Sequence, residues 1–159
     1  MSQPQPFLNT REDKAIRFLG LPSLVRANGE STNGTFGLVE QWDIPPGFVT
    51  PYHMHRLEDE SFYILEGEVN FVCDGKWISA KSGDFVFGPC MIPHGFKVVG
   101  DTPARMLIFA SPPAASTPSG TGIPSTAPPA PGSTSPPRAH TIHPPASYIS
   151  ATAHLLPPA

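Results

Sequence analysis

Three side chains suited to metal binding lie close together in GFVTPYHMHRLEDESFYILEG, residues 47–67. His53 and His55 are two residues apart, so on a strand their imidazoles project from the same face. Glu60 stands five residues after His55, and this odd offset requires a bulge or turn before its carboxylate can point the same way. Residues 56–59 are the expected place for it. Two neutral imidazoles and a carboxylate suit a first-row divalent metal ion.

Two other carboxylates could replace Glu60 as a ligand, and a third histidine is a candidate fourth ligand. Glu58 and Asp59 are alternative carboxylates, which we expect on the solvated face of a loop. His94 opens another predicted strand, with apolar residues on its face. A single histidine at a strand start is usually structural, but the nearby His-x-His pair favours a metal ligand.

The elements that must position these residues read as short strands separated by turns. Alternating or strand-forming residues predict strands at 35–44, 48–55, 61–65, 68–73, 77–80, 84–87, 94–99 and 105–110. Asp74-Gly75 is the signature of a type I′ hairpin. Residues 15–19 and 23–27 are also interpreted as strands, in preference to a short helix after Thr10. With no helix-length pattern between strands, an antiparallel barrel or sandwich is expected.

Composition divides the 159-residue chain in two. Residues 1–110 contain 22 of the 23 charged side chains and nine of the 22 prolines. Residues 111–159 contain 13 Pro, 14 Ser/Thr, 9 Ala and a single charge, Arg138. Such a segment lacks the apolar side chains needed to offset its ordering entropy. We predict a disordered tail there; a shifted reading frame or a wrong exon boundary near Ser111 is the alternative hypothesis.

Charge and hydropathy exclude several classes of protein. The net charge of −3 gives no basic footprint for nucleic acid. No run approaches the roughly 18 apolar residues of a membrane span, and the polar N-terminal residues lack the apolar stretch of a secretory signal. Cys73 and Cys90 are expected to be free thiols. These observations predict a cytoplasmic protein that binds neither nucleic acid nor membrane.

The motif around the histidines resembles the first motif of the cupin superfamily: Gly, five residues, His-x-His, three or four residues, Glu, six residues, Gly. Gly47, His53, His55, Glu60 and Gly67 meet every fixed position. Asp59 would spoil the spacing to the final glycine, so the resemblance selects Glu60.

The second cupin motif is matched in part by residues 83–98. Gly83, Pro89 and His94 agree with it, whereas Met91 replaces a glycine and Val98 an asparagine. The resemblance implies an all-β, double-stranded β-helix (jelly-roll) barrel of six to eight strands over residues 35–110. An N-terminal arm with short strands (1–34) precedes it, and the low-complexity tail (111–159) follows.

Carried over position by position, the cupin pattern implies one metal ion held by His53, His55, Glu60 and His94. Fe(II), Mn(II), Ni(II), Co(II) and Cu(II) all fit this ligand set. Most aromatic residues are expected in the core of a small barrel, with Phe62, Phe71 and Phe96 as candidates to line a pocket.

Within the cupins, the surrounding sequence is similar to single-domain, quercetin 2,3-dioxygenase-like members. This similarity implies metal-dependent dioxygenation of a small aromatic or enol substrate such as a flavonoid or polyketide-like secondary metabolite, with O2 as co-substrate. Glu60 would remain a ligand or act as the base. The alternatives are a metal-dependent isomerase, dehydratase or cyclase, and a non-enzymatic ligand-binding cupin. Edge strands and apolar outer faces that need covering predict a homodimer.

Overall fold

The computed structural model describes residues 4–10 and 15–113 in full, and the backbone of 154–155. Ten strands occur in this part of the chain. In chain order they are β1 Ile16–Phe18, β2 Leu21–Ala27, β3 Gly37–Ile44, β4 Asp59–Glu66, β5 Glu68–Cys73, β6 Lys76–Lys81, β7 Phe85–Gly88, β8 His94–Val99, β9 Ala104–Ser111 and β10 His154–Leu155. The all-β prediction is confirmed. The predicted disorder of the tail falls mostly on residues 114–153 and 156–159, which lie outside the described residues.

The strands form two antiparallel sheets. One has the order β10-β1-β2-β3-β9-β4-β7 and the other the order β6-β5-β8. Strands β1 and β2, from the predicted N-terminal arm, continue the larger sheet beyond β3. The non-sequential neighbours of β9, which lies between β3 and β4, show that the sheets are not simple meanders. The predicted jelly-roll is confirmed.

The inward faces of the two sheets share one apolar core. Alternate residues of β4 and β9 are buried, as the period of two requires for a sheet with one face in the core. The core combines side chains of both sheets and consists of Leu21, Val39, Ile44, Phe62, Ile64, Val69, Phe71, Ala80, Val86, Phe96, Val98, Ala104, Met106 and Ile108.

The β5–β6 turn confirms the hairpin predicted from Asp74-Gly75. Both residues have positive φ, 49° and 73°, as a type I′ turn requires. Cys73 and Lys76 face each other across the two-residue loop.

Residues 48–55, predicted as a strand, instead form an irregular segment beside β8. Two isolated antiparallel bridges join it to that strand, Val49 to Lys97 and His53 to His94. Four steps along the segment correspond to three along β8, so the segment contains one extra residue between the bridges. This is the geometry of a β-bulge, which re-aims the side chains that follow it.

Candidate metal centre

His53 and His94 are placed side by side by backbone pairing. The N–H of His53 donates to the His94 carbonyl at 2.9 Å, and the N–H of His94 donates to the His53 carbonyl at 2.7 Å. Directly opposed residues of an antiparallel pair share a face, so both imidazoles project inward. Their ring centroids are 4.7 Å apart.

His55 and Glu60 reach the same place from either side of a bend at Arg56 and Leu57, inside the region where the sequence requires a bulge or turn. The carbonyl of His55 accepts a 2.7 Å hydrogen bond from the N–H of Met91. Glu60 lies on β4, an inner strand of the larger sheet, opposite Gly88 of β7 and Ala110 of β9. The bend thus compensates for the odd sequence offset.

The side chains of His53, His55, Glu60 and His94 form one cluster, whose ligand-type atoms all lie within 4.8 Å of one another. Glu60 Oε2 is 3.0 Å from His94 Nε2, 3.4 Å from His55 Nε2 and 3.8 Å from His53 Nε2. His53 Nε2 and His55 Nε2 are 3.1 Å apart. The structure therefore brings together the four residues that the sequence selected. This cluster of residues could hold a metal ion.

The other ring nitrogens show whether the cluster fits a cation. His53 Nδ1 lies 2.8 Å from the Pro51 carbonyl, and His94 Nδ1 lies 2.9 Å from the Ile92 carbonyl. A carbonyl oxygen only accepts hydrogen bonds, so each Nδ1 must carry the proton. In the neutral rings Nε2 is then unprotonated, and its lone pair faces the centre of the cluster. Together with His55 Nε2 and a carboxylate oxygen, these two nitrogens match the donor preferences of a divalent transition metal.

Electrostatics couples the cluster. Burial would raise the pKa of Glu60, but hydrogen bonds with His53, His55 and His94 hold that pKa well below its usual range. Burial lowers the pKa of His53, and its interaction with Glu60 only partly offsets this. Burial also acts to lower the pKa of His55, but hydrogen bonds to Glu58 and Glu60 raise it to about 9. Without a metal, the cluster thus keeps an ionised carboxylate beside a cationic His55.

The expectation for Glu58 is wrong. Instead of facing solvent, its side chain is 7% exposed, and its Oε1 is 3.0 Å from His55 Nδ1. The bend at residues 56–57 turns this carboxylate back toward the ring three positions earlier. The i to i+3 separation from a predicted ligand is the only signal that could have indicated this contact. Asp59 is half-buried, and its Oδ1 accepts a hydrogen bond from the Cys90 N–H at 2.8 Å.

The three aromatic residues predicted to line a pocket are buried together below the cluster. The rings of Phe62, Phe71 and Phe96 have centroids 4.8–5.9 Å apart, and that of Phe62 is 6.4 Å from His94. They belong to the apolar core. Their role toward a substrate stays a prediction.

The two departures from the second cupin motif have different consequences. Met91 adopts a φ of 63°, the left-handed conformation that favours glycine, and its side chain is exposed. Val98 is fully buried in the core, where an asparagine would need hydrogen-bond partners. Cys73 and Cys90 are free thiols, as predicted.

Comparison with known protein families supports the fold. The family described as "Cupin domain" matches residues 40–110, which include the complete cluster. Residues 40–110 are a cupin domain. Solved structures superpose on this chain, among them an RmlC-like cupin from Shewanella frigidimarina (TM-score 0.58, 24% identity, 70% of this chain and 95% of that one). The polyketide cyclase RemF from Streptomyces resistomycificus superposes with a TM-score of 0.56, 24% identity, and coverage of 67% and 80%.

Relatives of this cupin by sequence carry several different names. The polyketide synthase CurC of Streptomyces cyaneus is 30% identical over 65% of this chain and 63% of its own length. The quercetin 2,3-dioxygenase of Bacillus subtilis is 32% identical over 43% of this chain, but only 20% of its own length. An oxalate-binding protein of Thermotoga maritima is 32% identical over 49% of this chain and 64% of its own. The aligned part of this chain thus spans less than two thirds of each of these three relatives.

The described residues contain no helix of the length and apolar character needed to cross a membrane.

Proposed function

We propose that this cupin is a metal-dependent oxidoreductase that oxygenates a small aromatic or enol substrate such as a flavonoid or polyketide-like metabolite. The observation that carries the proposal is the convergence of three imidazole Nε2 atoms and Glu60 Oε2 within 4.8 Å. Four protein ligands would leave up to two open positions on an octahedral ion. The name of the quercetin 2,3-dioxygenase relative supports the choice of reaction.

One divalent ion of Fe, Mn, Ni, Co or Cu would be held by His53, His55, Glu60 and His94. When bound, such an ion supplies Lewis acidity that favours ionisation of a substrate hydroxyl, and a redox-active ion also supplies electrons for reaction with O2. The chain's own residues supply the rest of the site.

Glu60 is the group best placed to handle a proton. Its Oε2 lies on the inner face of β4 and stays ionised because three imidazoles surround it. If Glu60 acts as the base rather than as a ligand, a substrate hydroxyl at the cluster would pass its proton to this carboxylate, whose Oε2 lies 3.0 Å from His94 Nε2. The packed rings of Phe62, Phe71 and Phe96 exclude water from the core side of the cluster.

A second candidate function is Lewis-acid catalysis without O2, as a cyclase, isomerase or dehydratase. The alignment with CurC covers 65% of this chain, against 43% for the dioxygenase, and RemF shares the fold. Non-enzymatic binding of a small ligand is the third candidate, and the oxalate-binding relative supports it.

Oxygen consumption separates these candidates. The full chain would be loaded in turn with each of the five metals and offered a panel of flavonols and polyphenolic enols. Oxygenation predicts stoichiometric O2 uptake, which is lost in His94→Ala together with the bound metal. Turnover that persists under anaerobic conditions would support the second candidate, and binding without turnover the third. A full metal complement in both His53→Ala and His94→Ala would refute the metal centre itself.

We also propose that the cupin is a homodimer. Tyr63, Phe85 and Phe87 lie on the outward faces of paired strands β4 and β7 and are 38–59% exposed. Strand β7 ends the larger sheet, so these rings form an apolar patch at an open edge. Sedimentation velocity should give a dimer for the native chain and a monomer for Phe85→Lys/Phe87→Lys. A double variant that sediments as a dimer would place the interface elsewhere. The cytoplasmic location stays a prediction from the sequence.

A further inference from the structure

The three imidazoles of the metal centre are held from behind in two different ways. His53 and His94 donate from Nδ1 to backbone carbonyls two residues earlier in the chain, those of Pro51 and Ile92. His55 instead meets a carboxylate oxygen, Oε1 of Glu58, at 3.0 Å. A carbonyl orients a ring, whereas a carboxylate both orients it and increases the electron density at its other nitrogen.

Glu58 is built into this position and lies behind the ligand. The carboxylate is bonded to Nδ1, and the nitrogen that faces the other ligands is Nε2. Glu58 itself is outside the group of four converging ligand atoms. It is 6% exposed, and a buried carboxylate is costly unless a positive partner compensates for its charge. His55, polarised by a cation on its far side, is such a partner.

The charges of the assembled site also balance. Glu58 and Glu60 contribute two negative charges within the buried cluster, and a divalent cation contributes two positive ones. The three imidazoles are neutral when their Nε2 atoms bind the metal. A site without Glu58 would leave one uncompensated positive charge, which is unfavourable in a buried environment.

We propose that Glu58 is a positioning residue that locks His55 in the metal-binding tautomer and increases its affinity for a divalent cation. The inference rests on the proposed metal centre and adds to it a residue outside the ligand set. Loss of the Glu58 charge should weaken metal binding, and loss of the whole side chain should weaken it further.

The test is titration of the metal-free full chain with Co(II) alone, followed by calorimetry and by visible absorption. Glu58→Gln keeps the size and an acceptor oxygen but removes the charge, and we expect about tenfold weaker binding. Glu58→Ala also removes the acceptor, and we expect about 100-fold weaker binding. Asp59→Asn is the matched control, since it removes a charge one residue away that contacts the Cys90 N–H rather than a ligand; its affinity should be unchanged.

The absorption spectrum separates a role at the metal from a role in folding. In Glu58→Gln, the Co(II) bands should shift because His55 is a weaker donor, while those of Asp59→Asn should superimpose on the native bands. If Glu58→Ala fails to fold, the isosteric Gln variant decides. Native affinity and an unshifted spectrum in Glu58→Gln would overturn the proposal, as would an equal loss of affinity in Asp59→Asn.

Failure of the inference is distinct from failure of the metal centre. If the native chain binds no Co(II), or His94→Ala binds it as tightly as the native chain, the centre itself is wrong. If the native chain binds Co(II), His94→Ala does not, and the Glu58 variants match the native chain, only the role of Glu58 is wrong.

Discussion

Two of the four clustered residues lie on regular strands and two on an irregular segment, and the pairs are held by different means. Glu60 and His94 are fixed by the hydrogen-bond ladders of β4 and β8. Strand β4 lies between β7 and β9, and β8 lies between β5 and the irregular segment 48–55. Their positions depend on how closely the neighbouring backbones approach. Few side-chain contacts are needed, because the strands themselves are the support.

His53 has only its isolated bridge to His94 as backbone support, and His55 depends on individual contacts. The bulge between Val49 and His53 sets the direction of the first ring, and the Met91 N–H fixes the carbonyl of the second residue. Glu58 supports the second ring through its side chain. Steric changes should therefore damage the strand pair most, while changes of single hydrogen bonds should affect only the irregular pair.

The largest effect is expected from Gly88→Ala on β7, opposite Glu60. An added Cβ would lie 2.9 Å from the Glu60 carbonyl oxygen, so the backbone of β4 or β7 must shift. We expect a loss of about 1–3 kcal/mol in the free energy of unfolding, and about 100-fold weaker Co(II) binding because the ligands are misplaced. Urea denaturation and calorimetry measure the two effects. Phe87→Ala, outward-facing on the same strand, should bind Co(II) normally; normal binding by Gly88→Ala would contradict the tight fit.

A pH dependence should distinguish His55 from its neighbours. Its pKa of about 9 means that in the metal-free site both ring nitrogens of His55 are protonated at neutral pH. Co(II) must displace one of these two protons to bind the ring. The apparent affinity should thus rise about tenfold per pH unit from pH 7 and level off near pH 9. In buffers of different ionisation enthalpy, calorimetry should show about one proton released at pH 7.5. Affinity independent of pH over this range would contradict a protonated His55.

The same shift has a consequence for the stability of the metal-free chain. The pKa of His55 is higher in the folded chain than its unfolded value near 6.5, so protonation of His55 stabilises the folded state. This stabilisation is fully present below pH 6.5. It should disappear as the pH rises through about 9. The change belongs to the irregular pair, since Glu60 titrates far below this range.

The sequence predicted the residues on regular strands, Glu60 and His94, better than the bulge and bend that position His53 and Glu58. Alternation and turn residues were sufficient to assign His94 to a strand start, whereas Glu60 was selected by its spacing in the cupin motif. The positions of His53 and Glu58 were less accessible, because they depend on a bulge and on a bend. The bulge before His53 has no local residue pattern of its own, and the offset between His55 and Glu60 required a bend at 56–59 without indicating which carboxylate it would bury. Glu58 reads as a solvated loop acid, and only the tertiary arrangement buries it.

Met91 is a second position that the motif flagged but could not explain. A φ of 63° costs a residue other than glycine about 1–2 kcal/mol. Glycine avoids this strain, but part of the gain is offset because glycine loses more chain entropy on folding. Met91→Gly should increase the free energy of unfolding by about 0.5–1 kcal/mol without changing Co(II) affinity, since the N–H to His55 remains. Met91→Ala is the control, because it keeps the strain. Equal stabilisation by both variants in urea denaturation would show that side-chain exposure, rather than φ, is responsible.

The smallest effect should come from the contact that ties the bulge to the hairpin turn. The N–H of Gly75 donates to Tyr52 Oη at 3.3 Å, across the end of the β5–β8 ladder. Tyr52→Phe removes this long, exposed hydrogen bond, so the expected loss is about 0.5 kcal/mol in unfolding free energy and about twofold in Co(II) affinity. Tyr63→Phe, on the outward face of β4, should leave both unchanged. If Tyr52→Phe also leaves both unchanged, the backbone pairing of His53 with His94 is enough to hold the bulge. The irregular pair would then resemble the strand pair more closely than its hydrogen bonds indicate.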